Sequence, residues 1–282
     1  MKRPLHIRST FFVAIALFGA AAYVAIVLLF MLAGRLLSDL LFRSKRTGQQ
    51  ANLALSLRHG GLYLAVAIGM TAALQGSAGT FIADVLEVLR DGAVIVFALI
   101  VAQKLNHWCI VPGLDNDDAV AGGNTALALT EFGSFIATGM IASASFGSGE
   151  GSWLTAIVFF AVGQLALIGG FWAQERLLPG SFVDGVIRGR EGAGVAVAGA
   201  LIALGVILRA SIAGPFLGWA TSFRLLGLYA AGGILFLVAF QEVFAYVFVR
   251  RRHVEDQYHS VATSTVVACG QIGIALVITA LL

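Results

Sequence analysis

Charged residues are scarce in this chain. Asp, Glu, Lys and Arg make up 12% of its 282 residues, against roughly 25% in soluble domains. Apolar residues make up 59% of the chain, in runs long enough for helices to cross about 30 Å of hydrocarbon. Since the backbone in lipid must satisfy its own hydrogen bonds, the composition excludes an ordinary soluble domain. It predicts an all-α membrane protein in contact with the lipid bilayer.

Cysteine and catalytic motifs are also scarce. Cys109 and Cys269 lie in or beside apolar stretches and form no disulfide framework. The glycine-rich stretch 145–149 lacks the flanking elements of a phosphate loop or nucleophile elbow. The histidines have no metal-ligand spacing, and the acidic run 115–118 reads as a solvated loop rather than a calcium site. We therefore expect no enzyme activity, cofactor or metal, and the small net charge of +3 argues against nucleic acid.

Hydropathy predicts a polytopic bundle of about eight transmembrane helices. The predicted spans are 11–37, 51–76, 92–112, 122–146, 153–175, 189–211, 222–249 and 259–281. The first is too long for a signal peptide and is expected to be retained. Gly79 to Asp91 is too short to cross and is predicted to be a separate amphipathic segment at the interface. The stretch from Pro215 to Arg224 occupies the corresponding place later in the chain.

Internal repeats organise these spans. The stretch 122–145, GGNTALALTEFGSFIATGMIASAS, aligns with 51–70, ANLALSLRHGGLYLAVAIGM, and pairs Asn52 with Asn124 and Gly61 with Gly133. Weaker copies begin near Glu191 and in the last span. We therefore predict two tandem four-helix halves, 1–148 and 149–282, built from four hairpin repeats. The halves have parallel topology because four spans return the chain to its starting side.

The motif Asn-x-Ala-Leu, with a glycine nine residues after the asparagine, resembles a bacterial inner-membrane family called domain of unknown function 350. Asn52, Ala54 and Gly61 carry the match in one copy, and Asn124, Ala126 and Gly133 in the next. The resemblance implies four spans per domain, two domains here and an inner-membrane location. It implies no established activity, although some relatives are similar in genomic setting to partners of membrane-stress proteins.

Basic residues predict the orientation of the spans. Eleven Lys and Arg residues flank the loops after spans one, three, five and seven, and six lie on the other side. The positive-inside rule then puts these loops in the cytoplasm and both termini outside. Asn52 and Asn124 would start spans two and four at the cytoplasmic face, where asparagine caps helices. Their helix N-termini could alternatively attract an anion.

Ionisable and amide side chains within the spans are the candidate functional residues, because charge in a bilayer is costly unless paired or hydrated. They are predicted to form one polar layer below the cytoplasmic face: Arg58, His59, Gln103, Lys104, Glu131, Gln241 and Glu242. One interpretation is structural, with Arg58 or His59 pairing with Glu131 and Lys104 with Glu242. The other is a polar cavity in which His59 and Glu131 exchange protons or bind a cation.

Small residues recur along the spans, with Gly61 and Gly133 as the main packing positions. They predict close helix packing within the chain or, alternatively, a homo-oligomer interface. Three functions remain open on these observations, of which a membrane-embedded enzyme with an unrecognised site is the least favoured. The favoured one is a non-enzymatic membrane scaffold or partner-recruiting protein, whose basic loops at 43–46 and 250–252 contact anionic headgroups or a soluble cytoplasmic partner. The alternative is a transporter or channel for protons or small ions through the polar layer.

Overall fold

The computed structural model describes residues 5–41, 52–75, 80–147, 152–177, 181–248 and 260–281, and all regular structure in these ranges is helical. The prediction of an all-α fold is therefore confirmed. The helices are α1 (Leu5–Leu41), α2 (Leu53–Ala73), α3 (Phe81–Cys109), α4 (Asn116–Ala121), α5 (Thr125–Gly147), α6 (Trp153–Leu177), α7 (Phe182–Ile187), α8 (Glu191–Ile212), α9 (Trp219–Phe248) and α10 (Val261–Leu281).

Seven helices in the described part of the chain are long and apolar enough to cross a membrane. They are α1, α2, α5, α6, α8, α9 and α10, and they make this a multi-pass membrane protein. Helix α3 is not among them. Its 29 residues would reach about 44 Å at 1.5 Å per residue, but its first turns carry Asp84, Glu87, Arg90 and Asp91. That α3 crosses the membrane remains a prediction.

The prediction that Gly79 to Asp91 forms a separate interface segment is wrong, because its described residues begin α3. Thr80 is the N-cap of α3, with its hydroxyl accepting from the Ala83 N–H at 3.4 Å, and one uninterrupted helix follows. Within α3 there is no proline and only one glycine, Gly92, so nothing breaks the helix after the amphipathic turns. At the corresponding later place, α9 already begins at Trp219.

Four parallel helices form the centre of the molecule in a single row, in the order α2, α5, α8 and α10. The remaining long helices lie in the grooves of this row. Helix α3 contacts α2 and α5, α6 contacts α5 and α8, and α9 contacts α8 and α10. Helix α1, at one end of the row, packs against α2 and α3. The predicted antiparallel hairpins therefore stack side by side, with their second helices in the central row.

Glycine lets the backbones in the row approach closely. A Cβ on Gly133 of α5 would lie 2.5 Å from the Cα of Ala198 in α8. A Cβ on Gly139 would lie 2.8 Å from the Cα of Ala65 in α2. Real Cβ atoms do not tolerate such distances to backbone, so a side chain there would force the helices apart. The row thus packs through van der Waals contact between backbones, as membrane helices commonly do.

We call the side of the molecule where α2 and α5 begin the capped end, because Asn52 and Asn124 cap the two helices there. The short helices α4 and α7 also lie at this end. Each leads into the next long helix through a glycine with positive φ, Gly123 at 91° and Gly189 at 72°. Only glycine adopts that conformation readily. The opposite side, where α2, α5 and α8 terminate, is called the far end.

Candidate functional site: a buried ionic centre near the capped end

Arg58 of α2 is the centre of a buried cluster of charges. Its guanidinium donates two hydrogen bonds to the Glu131 carboxylate on α5, from Nε to Oε2 at 2.6 Å and from Nη2 to Oε1 at 2.8 Å. The same Nη2 lies 2.8 Å from Oδ1 of Asp117 on α4. The side chains of Arg58, Glu131 and Asp117 are only 7%, 4% and 14% exposed. We call these three residues the ionic centre.

This arrangement suits the chemistry of the three side chains. A guanidinium presents a planar fork of donors that matches a carboxylate in two places and leaves further donors free. Burying charges costs several kcal/mol per ion unless good geometry offsets it, and the bidentate pair supplies that geometry. The ionic centre joins α2, α4 and α5, with one cation facing two carboxylates.

A small cavity adjoins the ionic centre on the side of α3. It leaves about 10 Å³ for the centre of a water molecule, which is about the minimum that one water needs. Besides Glu131, its lining includes four buried polar side chains whose atoms lack a protein hydrogen-bond partner: Gln103 Oε1, Asn106 Oδ1, His107 Nδ1 and Asn116 Oδ1. His107 Nδ1 lies 4.0 Å from Glu131 Oε1. The cavity fits a single bound water rather than a solute.

A chain of neutral polar groups continues from this cavity into the middle of the bundle. The Asn106 side-chain amide donates to Ser134 Oγ at 2.9 Å and Thr138 Oγ1 at 3.2 Å. Thr138 donates to Gln164 Oε1 at 3.3 Å. All four side chains are buried, and they tie α3, α5 and α6 together. Such a network is stabilising only while its members remain satisfied.

His59 contacts α1 rather than the ionic centre, so the structure does not bring it together with Glu131 as the predicted proton exchange requires. Its Nε2 is 3.0 Å from Oδ1 of Asp39 on α1, and its ring stacks on that of Tyr63 at 6.4 Å between centroids. Because consecutive residues on a helix point about 100° apart, only one of Arg58 and His59 can face α5. Arg58 takes that position, as one of the structural alternatives predicts.

The other members of the predicted polar layer are spread over several helices. Gln103 lines the small cavity, whereas Gln241 is buried on α9 and is not part of that lining. The Lys104 ammonium lies 6.0 Å from the centre of the Trp108 ring, where a cation–π interaction is favourable. Glu242 belongs to α9, but its side chain lies outside the described residues. Its pairing with Lys104 therefore stays a prediction.

The motif asparagines each make two kinds of contact. Asn52 Oδ1 accepts from the Leu55 N–H at 2.8 Å, while its Nδ2 donates to the Ala121 carbonyl at 3.1 Å. Asn124 Oδ1 accepts from the Leu127 N–H at 3.0 Å, and its Nδ2 donates to the Val186 carbonyl at 3.3 Å. Each asparagine therefore caps its own helix and also holds the short helix that precedes the next one. This use of both ends of the amide leaves little of either side chain for an anion.

Gly61 and Gly133 lie where two helices of the row meet. A Cβ on Gly61 would lie 2.8 Å from the Cα of Phe132 in α5, as Gly133 would approach Ala198 in α8. The basic stretches 43–46 and 250–252, predicted as contact loops, lie outside the described residues.

Sequence reasoning missed Asp117 and His107. The acidic run was expected to be a solvated loop, but Asp115 caps α4 through the Asp118 N–H at 3.3 Å and Asp117 reaches Arg58. The signal that could have found it is the run itself, since an Asp followed by further acids favours a helix start. His107 has no such signal, because only the packing of α3 against α5 brings it beside Glu131.

A larger cavity of about 140 Å³ lies at the far end. It is bounded by the ends of α5 and α8, the starts of α6 and α9 and the 213–217 turn. The Ser145 hydroxyl on its wall is buried and has no hydrogen-bond partner in the protein. None of its lining residues, all in the described part of the chain, is charged. An ion leaving the ionic centre would therefore meet no opposite charge here.

Comparison with known proteins gives one result. Residues 11–146 and 150–282 each match the model of the family described as Domain of Unknown Function (DUF350). No curated protein and no solved structure matches the chain.

Proposed function

The chain belongs to the DUF350 family, two copies of which it holds in tandem, and we propose that it is a non-enzymatic scaffold of the bacterial inner membrane. In this proposal the helices form a rigid body that holds its cytoplasmic loops in place for a soluble partner. The capped end faces the cytoplasm, as the distribution of basic residues favours.

This proposal rests on one observation: the charges of the ionic centre are all paired and little space adjoins them. Arg58 is held by Glu131 on α5 and by Asp117 on α4 at 2.6–2.8 Å. The adjoining space leaves only about 10 Å³ for a water centre. Groups that carry an ion need to release it and need a hydrated way out. In the ionic centre the charges are already paired across helices, so they do not bind an ion but fix the helices relative to one another.

The basic loops supply the contact in this proposal. Arg43, Lys45 and Arg46 follow α1, and Arg250, Arg251 and Arg252 follow α9. The described ends of α1 and α9 lie at the capped end, and the proposal puts the basic stretches that follow them in sequence on that side. Lys and Arg near a cytoplasmic surface attract anionic headgroups and acidic protein segments through several weak charges.

Site-specific photocrosslinking in cells tests the scaffold proposal. A photoreactive residue at position 47 should give a discrete crosslinked protein, and that product should disappear when Arg43, Lys45 and Arg46 are all replaced by Gln. Replacing Arg90, Arg209 and Arg224 by Gln is the matched control, because it removes the same charge on the far side and should leave the crosslink intact. Crosslinks to lipid alone, or a product indifferent to the loop charges, would contradict the proposal.

One observation favours proton or small-ion transfer as a second candidate. The small cavity beside Glu131 is lined by Gln103, Asn106, His107 and Asn116, each of which has one buried polar atom without a protein hydrogen-bond partner. A water held there could pass a proton between His107 and Glu131, 4.0 Å apart.

Proteoliposomes with an internal pH dye test this candidate. Under an imposed potential, proton entry that stops in Glu131→Gln and in His107→Ala, but continues in His59→Ala, would establish transfer. Entry no faster than in protein-free vesicles is the result expected for the scaffold.

A further inference from the structure

The central row of helices uses the same interface at each of its three steps. From α2 to α5, α5 to α8 and α8 to α10, one face of a helix meets the opposite face of the next. We call the first the forward face and the second the backward face. Numbering each helix from its N-cap residue, at Asn52, Asn124, Arg190 and Ser260, lets equivalent positions be compared.

The forward face carries three small residues, at the second, ninth and thirteenth positions after the cap. They are Ala54, Gly61 and Ala65 in α2; Ala126, Gly133 and Ala137 in α5; Gly192, Gly199 and Ala203 in α8; and Ala262, Cys269 and Gly273 in α10. The backward face carries positions four, eight and fifteen. They are Ser56, Gly60 and Ala67 in α2; Ala128, Phe132 and Gly139 in α5; Gly194, Ala198 and Gly205 in α8; and Ser264, Ala268 and Ala275 in α10.

Where a Cβ on a glycine of the row would come within 3 Å of the backbone of the adjacent helix, the contacts always join a forward position to a backward one. They pair Gly61 with Phe132, Ala65 with Gly139, Ala126 with Gly194, Gly133 with Ala198, Ala137 with Gly205, and Gly199 with Ala268. The ninth position meets the eighth of the next helix at every step. The interface is therefore one geometry used three times, rather than three unrelated contacts.

At the two ends of the row, no other helix of the described part of the chain packs against this interface as the row helices do against one another. On α10, Ala262, Cys269 and Gly273 are exposed, and nothing lies within 4 Å of a Cβ built on Gly273. On α2, Ser56 is exposed, and Gly60 and Ala67 are partly exposed. A Cβ on Gly60 would meet the edge of the Phe132 ring at 3.8 Å, an ordinary van der Waals contact, and no backbone. At the inner steps the backward positions are mostly buried, with Ser264 and Ala275 both at 0%.

Helix α1 is also missing a packing partner that the equivalent helices have. The helices α3, α6 and α9 each lie in a groove between two helices of the row, whereas the described part of α1 packs against one helix of that row, α2. Its aliphatic side chains are exposed, with Val24 at 59%, Leu28 at 58% and Leu32 at 52%. A helix with the forward face of α10, placed beside α2, would complete the groove for α1.

We propose that a second copy of this chain docks there, with the forward face of its α10 against the backward face of α2. The contact is head-to-tail, so successive copies continue the row into a ring or a filament. Both forms extend the interface that the chain makes three times within itself. At the ninth position α10 carries Cys269 where the inner helices carry glycine, so the docked helices lie slightly further apart there than inside the row. This inference does not depend on the scaffold function, because it concerns association of copies rather than partner capture or ion flux.

Disulfide crosslinking in native membranes tests the contact. With Cys109→Ser as background, Gly60→Cys places a thiol at the eighth position of α2, and the native Cys269 supplies the ninth position of α10. A disulfide needs Cβ atoms within about 4.5 Å. At the inner steps a Cβ on the ninth position would lie 2.5–2.8 Å from the Cα of the eighth-position residue, so helices held slightly further apart by the Cys269 side chain keep this pair within that range. Mild oxidation should then give a ladder of covalent dimers, trimers and larger species.

Two control variants show whether the ladder reports the proposed contact. Gly169→Cys puts a thiol at a lipid-facing position with nothing within 4 Å of its Cβ, eight residues from the end of α6 just as Gly60 is eight from its cap. It should crosslink at least about tenfold more slowly, since its Cβ would not be held within bonding range. Adding Cys269→Ser to Gly60→Cys should abolish the ladder. Dimers formed by Cys269 alone, or equal rates for Gly60→Cys and Gly169→Cys, would overturn the proposal.

A second variant separates assembly from folding. Gly273→Leu adds bulk to the open face of α10, while Gly227→Leu adds it to an exposed face of α9 where a Cβ also meets nothing within 4 Å. Single-molecule photobleaching in bilayers should show several copies together for the wild type and for Gly227→Leu, and single copies for Gly273→Leu. Single copies for the wild type as well would refute the proposed contact.

Discussion

Arg58 and His59 are adjacent in sequence but act in different parts of the molecule. Arg58 points from α2 to α5 and α4, and His59 points to Asp39 on α1. Arg58 is buried and holds two carboxylates, whereas the Asp39 side chain beside His59 is 51% exposed. Exposed ion pairs contribute little to stability, but breaking a buried one is costly. The two residues should therefore respond very differently to substitution.

Replacing Arg58 by Met should destabilise the protein by about 3–5 kcal/mol, because it leaves two buried carboxylates without their cation. Glu131→Gln should cost less, since Arg58 keeps Asp117 and the amide oxygen of Gln still accepts a hydrogen bond. Arg90→Met, at a side chain 57% exposed, should cost about 1 kcal/mol or less. Unfolding in detergent, followed by tryptophan fluorescence, measures the order. Equal losses for Arg58→Met and Arg90→Met would show that the ionic centre does not stabilise the fold.

Asn52→Ala should cost about 1–2 kcal/mol, because α2 loses its cap and α4 loses the donor to its Ala121 carbonyl. Asn52→Ser keeps a capping oxygen but no amide donor, so its stability should fall between Ala and the wild type. Arg190 occupies the same place before α8 without a side-chain capping bond, and Arg190→Ala should change little. The same unfolding assay compares all three. If Asn52→Ala behaves as Arg190→Ala does, the amide contacts are dispensable.

At the level of whole helices, backbone proximity holds the row together. Lipid gives helices no hydrophobic drive to associate, so close packing through small residues has to provide it. Gly133 contacts α8 and Gly139 contacts α2, on opposite sides of α5. The same helix carries Glu131, so the ionic centre and the close backbone contacts both hold α5 in its position in the row. Displacing α5 would disturb both.

Gly133→Ala should destabilise the protein by about 1–3 kcal/mol, as overpacking of a tight contact does. The added methyl would lie 2.5 Å from the Cα of Ala198, and backbone cannot move aside as a side chain can. Gly169→Ala, where nothing lies within 4 Å, should be neutral or slightly stabilising because alanine favours helix. Denaturation in detergent again provides the measurement. A neutral Gly133→Ala would mean that α5 and α8 can separate without cost.

The sequence predicts the elements that depend on local signals. Runs of apolar residues mark the long helices, and Asn-x-Ala-Leu marks the starts of α2 and α5. Prediction fails where packing decides. Residues 81–91 look like a separate segment because their charges interrupt the apolar run, yet no helix breaker separates them from the rest of α3. The partner of Glu131 could be narrowed to Arg58 or His59 but not chosen, since that depends on the rotation of α2 in the row.

For the molecule as a whole, the row and its covering helices imply alternating directions for α1, α2, α3, α5, α6, α8, α9 and α10. Seven of these qualify as membrane spans by composition. Helix α3 packs against α2 and α5, and its second half contributes Gln103, Asn106 and His107 to the interior. Its charged first turns lie at the far end, near that surface. A full crossing by α3 therefore gives those charges access to water and keeps both motif asparagines on one side.

Labelling of single cysteines tests whether α3 crosses and which way the protein faces. In a background with Cys109→Ser and Cys269→Ser, Thr80→Cys and Pro112→Cys mark the two ends of α3, both at exposed positions. An impermeant maleimide added to intact spheroplasts should label Thr80→Cys and spare Pro112→Cys, because the basic loops favour a cytoplasmic capped end. Trp153→Cys and Arg188→Cys, at the two ends of the α6–α7 segment, should behave like Thr80→Cys and Pro112→Cys respectively. Labelling of Thr80→Cys and Pro112→Cys from the same side would mean that α3 does not cross. The opposite pattern in all four variants would invert the orientation and place the basic loops outside the cytoplasm, away from any soluble cytoplasmic partner.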